Sequence, residues 1–115
     1  MDNIVKPDVI APGVSVFAPL APNATLDVPE LPHIGQDYIA ISGTSMATPL
    51  VSGLVADLLQ ANPHLTPEQV KSILTSTADH YLADDSNGQG AGLVNAPKAL
   101  EQALAAAGSK QATVA

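Results

Sequence analysis

The sequence has no cysteine and no tryptophan, and its aromatic content is two tyrosines and one phenylalanine. The missing thiol excludes disulfides, thiolate nucleophiles and cysteine-bound metal, while leaving the compartment open. Positive charge is nearly as scarce. Four Lys+Arg stand against eleven Asp+Glu, giving a formal net charge of −7, and the basic residues do not cluster. Such a chain is repelled by a phosphate backbone, which argues against a nucleic-acid partner. No apolar run approaches a membrane span without Gly, Pro or Asp interrupting it. The start, Met1-Asp2-Asn3-Ile4-Val5-Lys6, lacks the basic opening and apolar run of a signal peptide. The chain reads as soluble.

What is present is a core-forming composition. Hydrophobic residues make up 46% of 115, enough for one ordinary domain and too many for a disordered tail. Proline is concentrated early: Pro7, Pro12, Pro19, Pro22, Pro29 and Pro32 all precede residue 33. Each fixes φ and removes a donor, so this third should be short extended pieces joined by turns. Val9-Ile10 and Val14 to Phe17 suggest strands, parted by an Ala11-Pro12-Gly13 turn. Residues 18–37 read as a surface loop that holds a formal glycosylation sequon, Asn23-Ala24-Thr25.

Tyr38 to Ser42 alternates like a strand, and Gly43-Thr44-Ser45 follows as a sharp turn. Helical spacing then runs from about Ser45 to Gln60, with Val51, Leu54, Val55, Leu58 and Leu59 on one face. Pro49 fits such a helix only in its first turn. Thr66-Pro67-Glu68-Gln69 opens a second helix with a capping box, and Val70, Ile73 and Leu74 form its inner face. Residues 79–92 are polar and Gly-rich, hence loop, and Leu93-Val94 suggests a short strand. Asn95 can cap a third helix on which Ala96, Ala99, Leu100, Ala103, Leu104 and Ala107 keep the period, with Gly108 as its stop. The body is thus residues 1–107, with 108–115 a flexible tail.

Ser45 is the candidate nucleophile. A strand, a glycine turn and a helix place its hydroxyl at a helix N-terminus, where unpaired N–H groups and the positive dipole end favour negative charge. Acyl transfer needs such a place for the oxyanion of its tetrahedral intermediate, and the N–H of Ser45 can be one donor. The plain alternative is that Ser45 merely caps the helix.

The motif Gly43-Thr44-Ser45-Met46-Ala47-Thr48-Pro49 resembles the nucleophile signature of subtilisin-like serine peptidases (subtilases) over its full length. Lys6 to Gly13 resembles the strand and turn upstream of the serine in that family. Leu58 to Thr66 resembles the end of the serine helix, and Gly90 to Ala96 the entry to the last helix. The matches fall in family order over roughly residues 5–104. The resemblance implies an incomplete α/β, three-layer fold, a parallel sheet flanked by helices, of which this chain gives short strands plus three helices. It implies peptide-bond hydrolysis on polypeptide substrates, with Ser45 attacking the scissile carbonyl and Thr44 helping to stabilise the oxyanion. It also implies an extracellular location for a full-length member. Leu50 stands where many members carry a non-catalytic histidine, and the stretch between Phe17 and Tyr38 looks like an insertion.

A serine nucleophile needs a base, and the family places its aspartate and histidine before the serine. Only His33 precedes Ser45, in a context unlike the family's histidine motif, and Asp8 belongs to a different stretch from the catalytic aspartate. The asparagine that donates to the oxyanion has no match, and no residue is assigned to substrate binding. His64 and His80 read as surface or helix-end residues. Without a cluster no metal site is assigned, and no cofactor is evident; calcium occurs in the family without an assignable site here. From Met46 to Ala61 the sole charge is Asp57, and a helix apolar nearly all round is normally covered on every side. Two amphipathic helices and a few strands are too little to wrap it. The isolated chain is therefore expected to be inactive, to expose apolar surface, and to associate with itself or with a missing N-terminal part.

Two rival readings exist. An α/β-hydrolase also sets its serine on a strand–turn–helix elbow, with acid and histidine downstream, where Asp79 and His80 lie. Adjacent Asp and His are poorly placed to bond each other, and Ala47 replaces the elbow's second glycine. The other rival is a non-catalytic subtilase remnant serving as a binding or structural module.

Overall fold

The composition shift divides the structure as it divides the sequence, with strands in the proline-rich third and helices after it. The computed structural model describes residues 5–81, 83 and 86–111. Two compact units emerge, one of Pro12–Leu50 and one of residues 5–11 with the chain from Val51 onward.

In the first unit three strands, β1 (Val16–Pro19), β2 (His33–Ile34) and β3 (Tyr38–Ile41), form one sheet in the order β1-β3-β2. Both pairings are antiparallel, with Val16 opposite Ile41 and His33 opposite Ile39. Ile39 and Ala40 of the central strand are buried. The expected loop at 18–37 thus contains a strand, β2, too short for its alternation to be read. The rest of that stretch is largely exposed, as an insertion would be.

Helix α1 (Thr44–Ala61) leaves this unit and continues into the second. Pro49 lies beyond its first turn, contrary to expectation. The ring has no N–H to offer the Ser45 carbonyl four residues back. Leu54 and Leu58 are the buried residues of α1. They join Val70, Ile73 and Leu74 of α2 (Pro67–Thr77) and Ala99 and Ala103 of α4 (Ala96–Gln111) in one core.

The start of α2 follows the expectation in every part. Thr66 Oγ1 accepts from the Gln69 N–H at 3.3 Å, Gln69 Oε1 accepts from the Thr66 N–H at 2.9 Å, and Pro67 opens the helix. A fourth helix, the single turn α3 (Ser86–Gln89), falls within the stretch expected as loop. Helix α4 corrects two expectations. It passes through Gly108 to Gln111, and it turns Ala99 and Ala103 inward while Leu100 and Leu104 face out. A glycine costs a helix only about 1 kcal/mol and stops it only when the backbone takes the left-handed turn. Small alanines on the inner face let the helices approach closely. From 112 on, the expected tail lies outside the described residues, as do 82, 84 and 85 of the expected loop.

The segment at 8–10 adds the one parallel pairing among the described residues, Ile10 with Leu93. Ile10 N–H donates to the Gly92 carbonyl at 2.9 Å, and Val94 N–H donates to the Ile10 carbonyl at 2.9 Å. Gly90 makes this approach possible. It has φ +60, and a Cβ there would lie 2.2 Å from the Pro7 carbonyl oxygen.

Asp79 ties α2 to α4. Its backbone exchanges two hydrogen bonds with Leu93, both 2.8 Å, and its carboxylate accepts from Asn95 Nδ2 at 2.7 Å and pairs with Lys98. Asn95 Oδ1 in turn caps α4 by accepting from the Lys98 N–H at 3.0 Å. Lys98 first, and Asn95 second, hold the Asp79 carboxyl below its ordinary 3.8. Lys6 and Lys71 do the same for Asp8. A depressed carboxyl stabilises the fold above its unfolded value and loses that contribution as pH falls through its folded one. We therefore expect Asp79→Asn to flatten the acid limb of stability below about pH 4, seen as a shallower fall of the denaturation midpoint between about pH 4 and 2. Equal slopes in both proteins would contradict the assignment.

Candidate functional site

The turn that carries Ser45 is built from β3 and the first turn of α1. Gly43 has φ +156, and its carbonyl accepts from the N–H groups of Met46 at 3.0 Å and Ala47 at 3.3 Å. Gly43 is thus the N-cap residue, Thr44 the first helical residue and Ser45 the second. Ser45 does not cap the helix. Its side chain is exposed, and it makes no hydrogen bond to the described residues. A capping residue without a side chain leaves the first helical N–H groups, those of Thr44 and Ser45, facing outward. Thr44 is also exposed, and its carbonyl accepts from Thr48 Oγ1 at 2.9 Å.

The turn is braced from the segment at 13–15, which the sequence assigns to the end of a turn and the start of a strand. Gly43 N–H donates to the Gly13 carbonyl at 2.7 Å, and Ser15 N–H donates to Ser42 Oγ at 2.9 Å. A Cβ on Gly13 would lie 2.7 Å from the Gly43 carbonyl oxygen and 3.1 Å from Ala47 Cβ. Some 30 residues separate the partners, so no local pattern could have shown them together.

The other candidates lie elsewhere in chemical terms. His33 has both ring nitrogens engaged, Nδ1 2.6 Å from the Leu31 carbonyl and Nε2 3.1 Å from Asp27 Oδ1. No hydrogen bond joins it to Ser45 among the described residues. It lines a shallow pocket of about 410 Å³ with Asp27, Asp37 and Gln36. Asp8 pairs with Lys6 and, at 2.8 Å, with Lys71. The Asp79 carboxylate is taken by Asn95 and Lys98 rather than His80, which removes the pairing an α/β-hydrolase reading would need. His64 and His80 are exposed. No group of three or more metal-ligating side chains occurs among the described residues, and no described helix is long and apolar enough to cross a membrane. Leu50 is 45% exposed.

The chain is 45% identical over 92 residues to the serine protease AprX of Bacillus subtilis (strain 168), covering 79% of this chain and 21% of that protein. It is 35% identical over 115 residues to the subtilisin-like protease SBT3.9 of Arabidopsis thaliana, covering 88% of this chain and 14% of that protein. The chain thus spans about a fifth or less of the length of these relatives. Among solved structures, fervidolysin from Fervidobacterium pennivorans, a keratinolytic enzyme related to subtilisin, matches with a TM-score of 0.66 and 31% identity over 78% of this chain and 14% of that one. The patellamide maturation protease PatA matches with a TM-score of 0.59 and 27% identity over 83% of this chain and 33% of that one. The mixed α/β arrangement is therefore a portion of a subtilisin-like fold. The sequence model of the subtilase family matches residues 1–96, spanning the serine turn, α1, α2 and the entry to α4, and the chain belongs to that family of serine peptidases.

Proposed function

We propose that this chain supplies the nucleophile-bearing part of a subtilisin-like serine endopeptidase, and that Ser45 attacks the scissile carbonyl of a polypeptide substrate. The observation that carries this reading is the position of Ser45. It is the second residue of α1, exposed, unbonded through its hydroxyl to the described residues, and preceded by a cap with no side chain. In this reading the Ser45 N–H donates to the developing oxyanion, with Thr44 supporting it. Such donors act on charge that exists only at the tetrahedral stage, so they lower the barrier rather than merely bind substrate.

The base and its orienting acid come from outside this chain in the same reading. His33 is occupied by Asp27 and Leu31, and Asp8 by two lysines. A part bearing the family's aspartate and histidine completes the site. Within the helical unit, an apolar cleft of about 470 Å³ lined by Val9, Val51, Val55, Leu59, Val70 and Leu74 is the surface left for a partner to cover. Leu50 and Leu59 of α1 are 45% and 39% exposed, which is unusual for a helix with one charge past Met46 and calls for such a cover. An extracellular place of action belongs to the same proposal.

A fluorophosphonate probe tests it. The purified chain is expected to resist labelling, and to become labelled on Ser45 once mixed with the N-terminal part of the AprX catalytic domain. Labelling of the chain alone, lost in Ser45→Ala, would refute the missing base. No labelling in any combination would favour the non-catalytic remnant.

A further inference from the structure

We propose that Gly13, Ser15 and Ser42 form a positioning device that sets where the Ser45 hydroxyl points. This rests on the reading of Ser45 as nucleophile. The register of β1 and β3 carries the argument. Val16 stands opposite Ile41, so the next step of the same ladder sets Ser15 opposite Ser42, and the step after sets Val14 opposite Gly43. The first step is made, but through a side chain, since the Ser15 N–H donates to Ser42 Oγ at 2.9 Å. The second step is not made. Gly43 N–H bonds instead to the carbonyl of Gly13, one residue further on, at 2.7 Å.

One residue has therefore been inserted on the β1 side. Ser15 absorbs it with φ 51, and Val14 is thrown outward at 81% exposure. An insertion of this kind bends its strand and re-aims the neighbouring side chains, and bulges gather beside active sites for that reason. A non-glycine residue in the left-handed region persists only when its surroundings hold it there. Here the Ser42 hydroxyl does so. Gly13 then lies against the first turn of α1, with no room for a Cβ between it and the Gly43 carbonyl. The backbone three residues before Ser45 is thus held through a hydroxyl, and the backbone two residues before it through an amide.

Ser42 is exposed, so loss of its hydroxyl acts on the elbow and little on the core. The test uses the assembled peptidase, this chain together with its Asp- and His-bearing part. Ser42→Ala is expected to slow fluorophosphonate labelling and kcat by about tenfold, with KM changed less than about twofold, because misplacement of the nucleophile is felt at the transition state. Ser42→Thr keeps the acceptor and restores most of the rate. Gly13→Ala, which moves the Gly43 carbonyl itself, is expected to lose about a hundredfold. Amide exchange at Ser15 should quicken in Ser42→Ala, a readout that stands even where Gly13→Ala fails to fold. Labelling of Ser42→Ala at the unreduced rate, with Ser45→Ala silent, overturns the positioning role alone. Labelling that survives Ser45→Ala overturns the nucleophile reading instead, and the positioning role with it.

Discussion

Replacing Ser45 by alanine is expected to abolish covalent labelling of the proposed assembled peptidase and to lower kcat by on the order of a millionfold, the loss known for removal of the nucleophile in subtilisin itself. The expectation rests on the contacts of the hydroxyl. It is exposed and makes no hydrogen bond to the described residues, so its removal leaves no buried group unpaired. Gly43, not Ser45, accepts the first helical bonds through its carbonyl, so the start of α1 survives the change. Stability should therefore stay within about 0.5 kcal/mol of the parent while the chemistry disappears. That separation is the measurement, with thermal midpoint and labelling taken on the same samples. A variant that loses labelling only because it has lost several degrees of midpoint would place Ser45 among structural residues. In the proposed reading, what remains above the uncatalysed rate reports the oxyanion donors and substrate binding, and alanine in place of Ser45 keeps the backbone N–H proposed as one such donor.

How much of this was legible before the structure depended on whether the signal was local. The capping box at Thr66 and Gln69 was legible because both partners lie within one turn. So was the strand–turn–helix at Ser45, whose seven motif residues are contiguous. The inner face of α2 came through for a related reason: Val70, Ile73 and Leu74 share one stripe, and the other face is polar. Helix α4 has apolar residues on more than one face, so periodicity could not tell that alanine rather than leucine turns inward. Gly108 looked like a stop because glycine often is one, yet the backbone continued past it. Strand β2 is two residues long, and its place is set by bonds such as Ala40 N–H to the Pro32 carbonyl at 2.8 Å, which no alternation reveals. The brace on the serine turn was invisible for the strongest reason. Gly13 and Gly43 matter to each other only once the β1 ladder has folded, so neither glycine carries a mark of the contact.

The second large effect concerns the helical unit, where Leu58→Ala should cost about 2–5 kcal/mol and Leu59→Ala less than about 1. The two residues are neighbours of identical chemistry on α1. Leu58 is 0% exposed in the core with Val70, Ile73 and Leu74, whereas Leu59 is 39% exposed. Deleting buried methylenes forfeits their transfer energy and leaves a cavity whose cost depends on how far the walls can close. The wall from α4 is Ala99 and Ala103, which have no side-chain length to lend. Nor can the end of α1 shift easily. Asn62, 2% exposed and one turn on, donates its backbone N–H to the Leu58 carbonyl at 2.9 Å. Its side chain donates to the Ala103 carbonyl at 3.3 Å and accepts from the His64 N–H at 3.2 Å. Movement into the cavity would break this buried set, and an unpaired buried group costs about 1–3 kcal/mol. A core of this size supplies only about 3–5 kcal/mol in all, so Leu58→Ala should leave the unit substantially unfolded when the chain stands alone. Urea denaturation followed by circular dichroism checks the pair, and equal losses in the two variants would mean that α1 is not packed as described. Adding the complementing part of the domain should then rescue Leu58→Ala by mass action. If that part covers the cleft that Leu59 lines, as proposed, the same addition should raise the cost of Leu59→Ala.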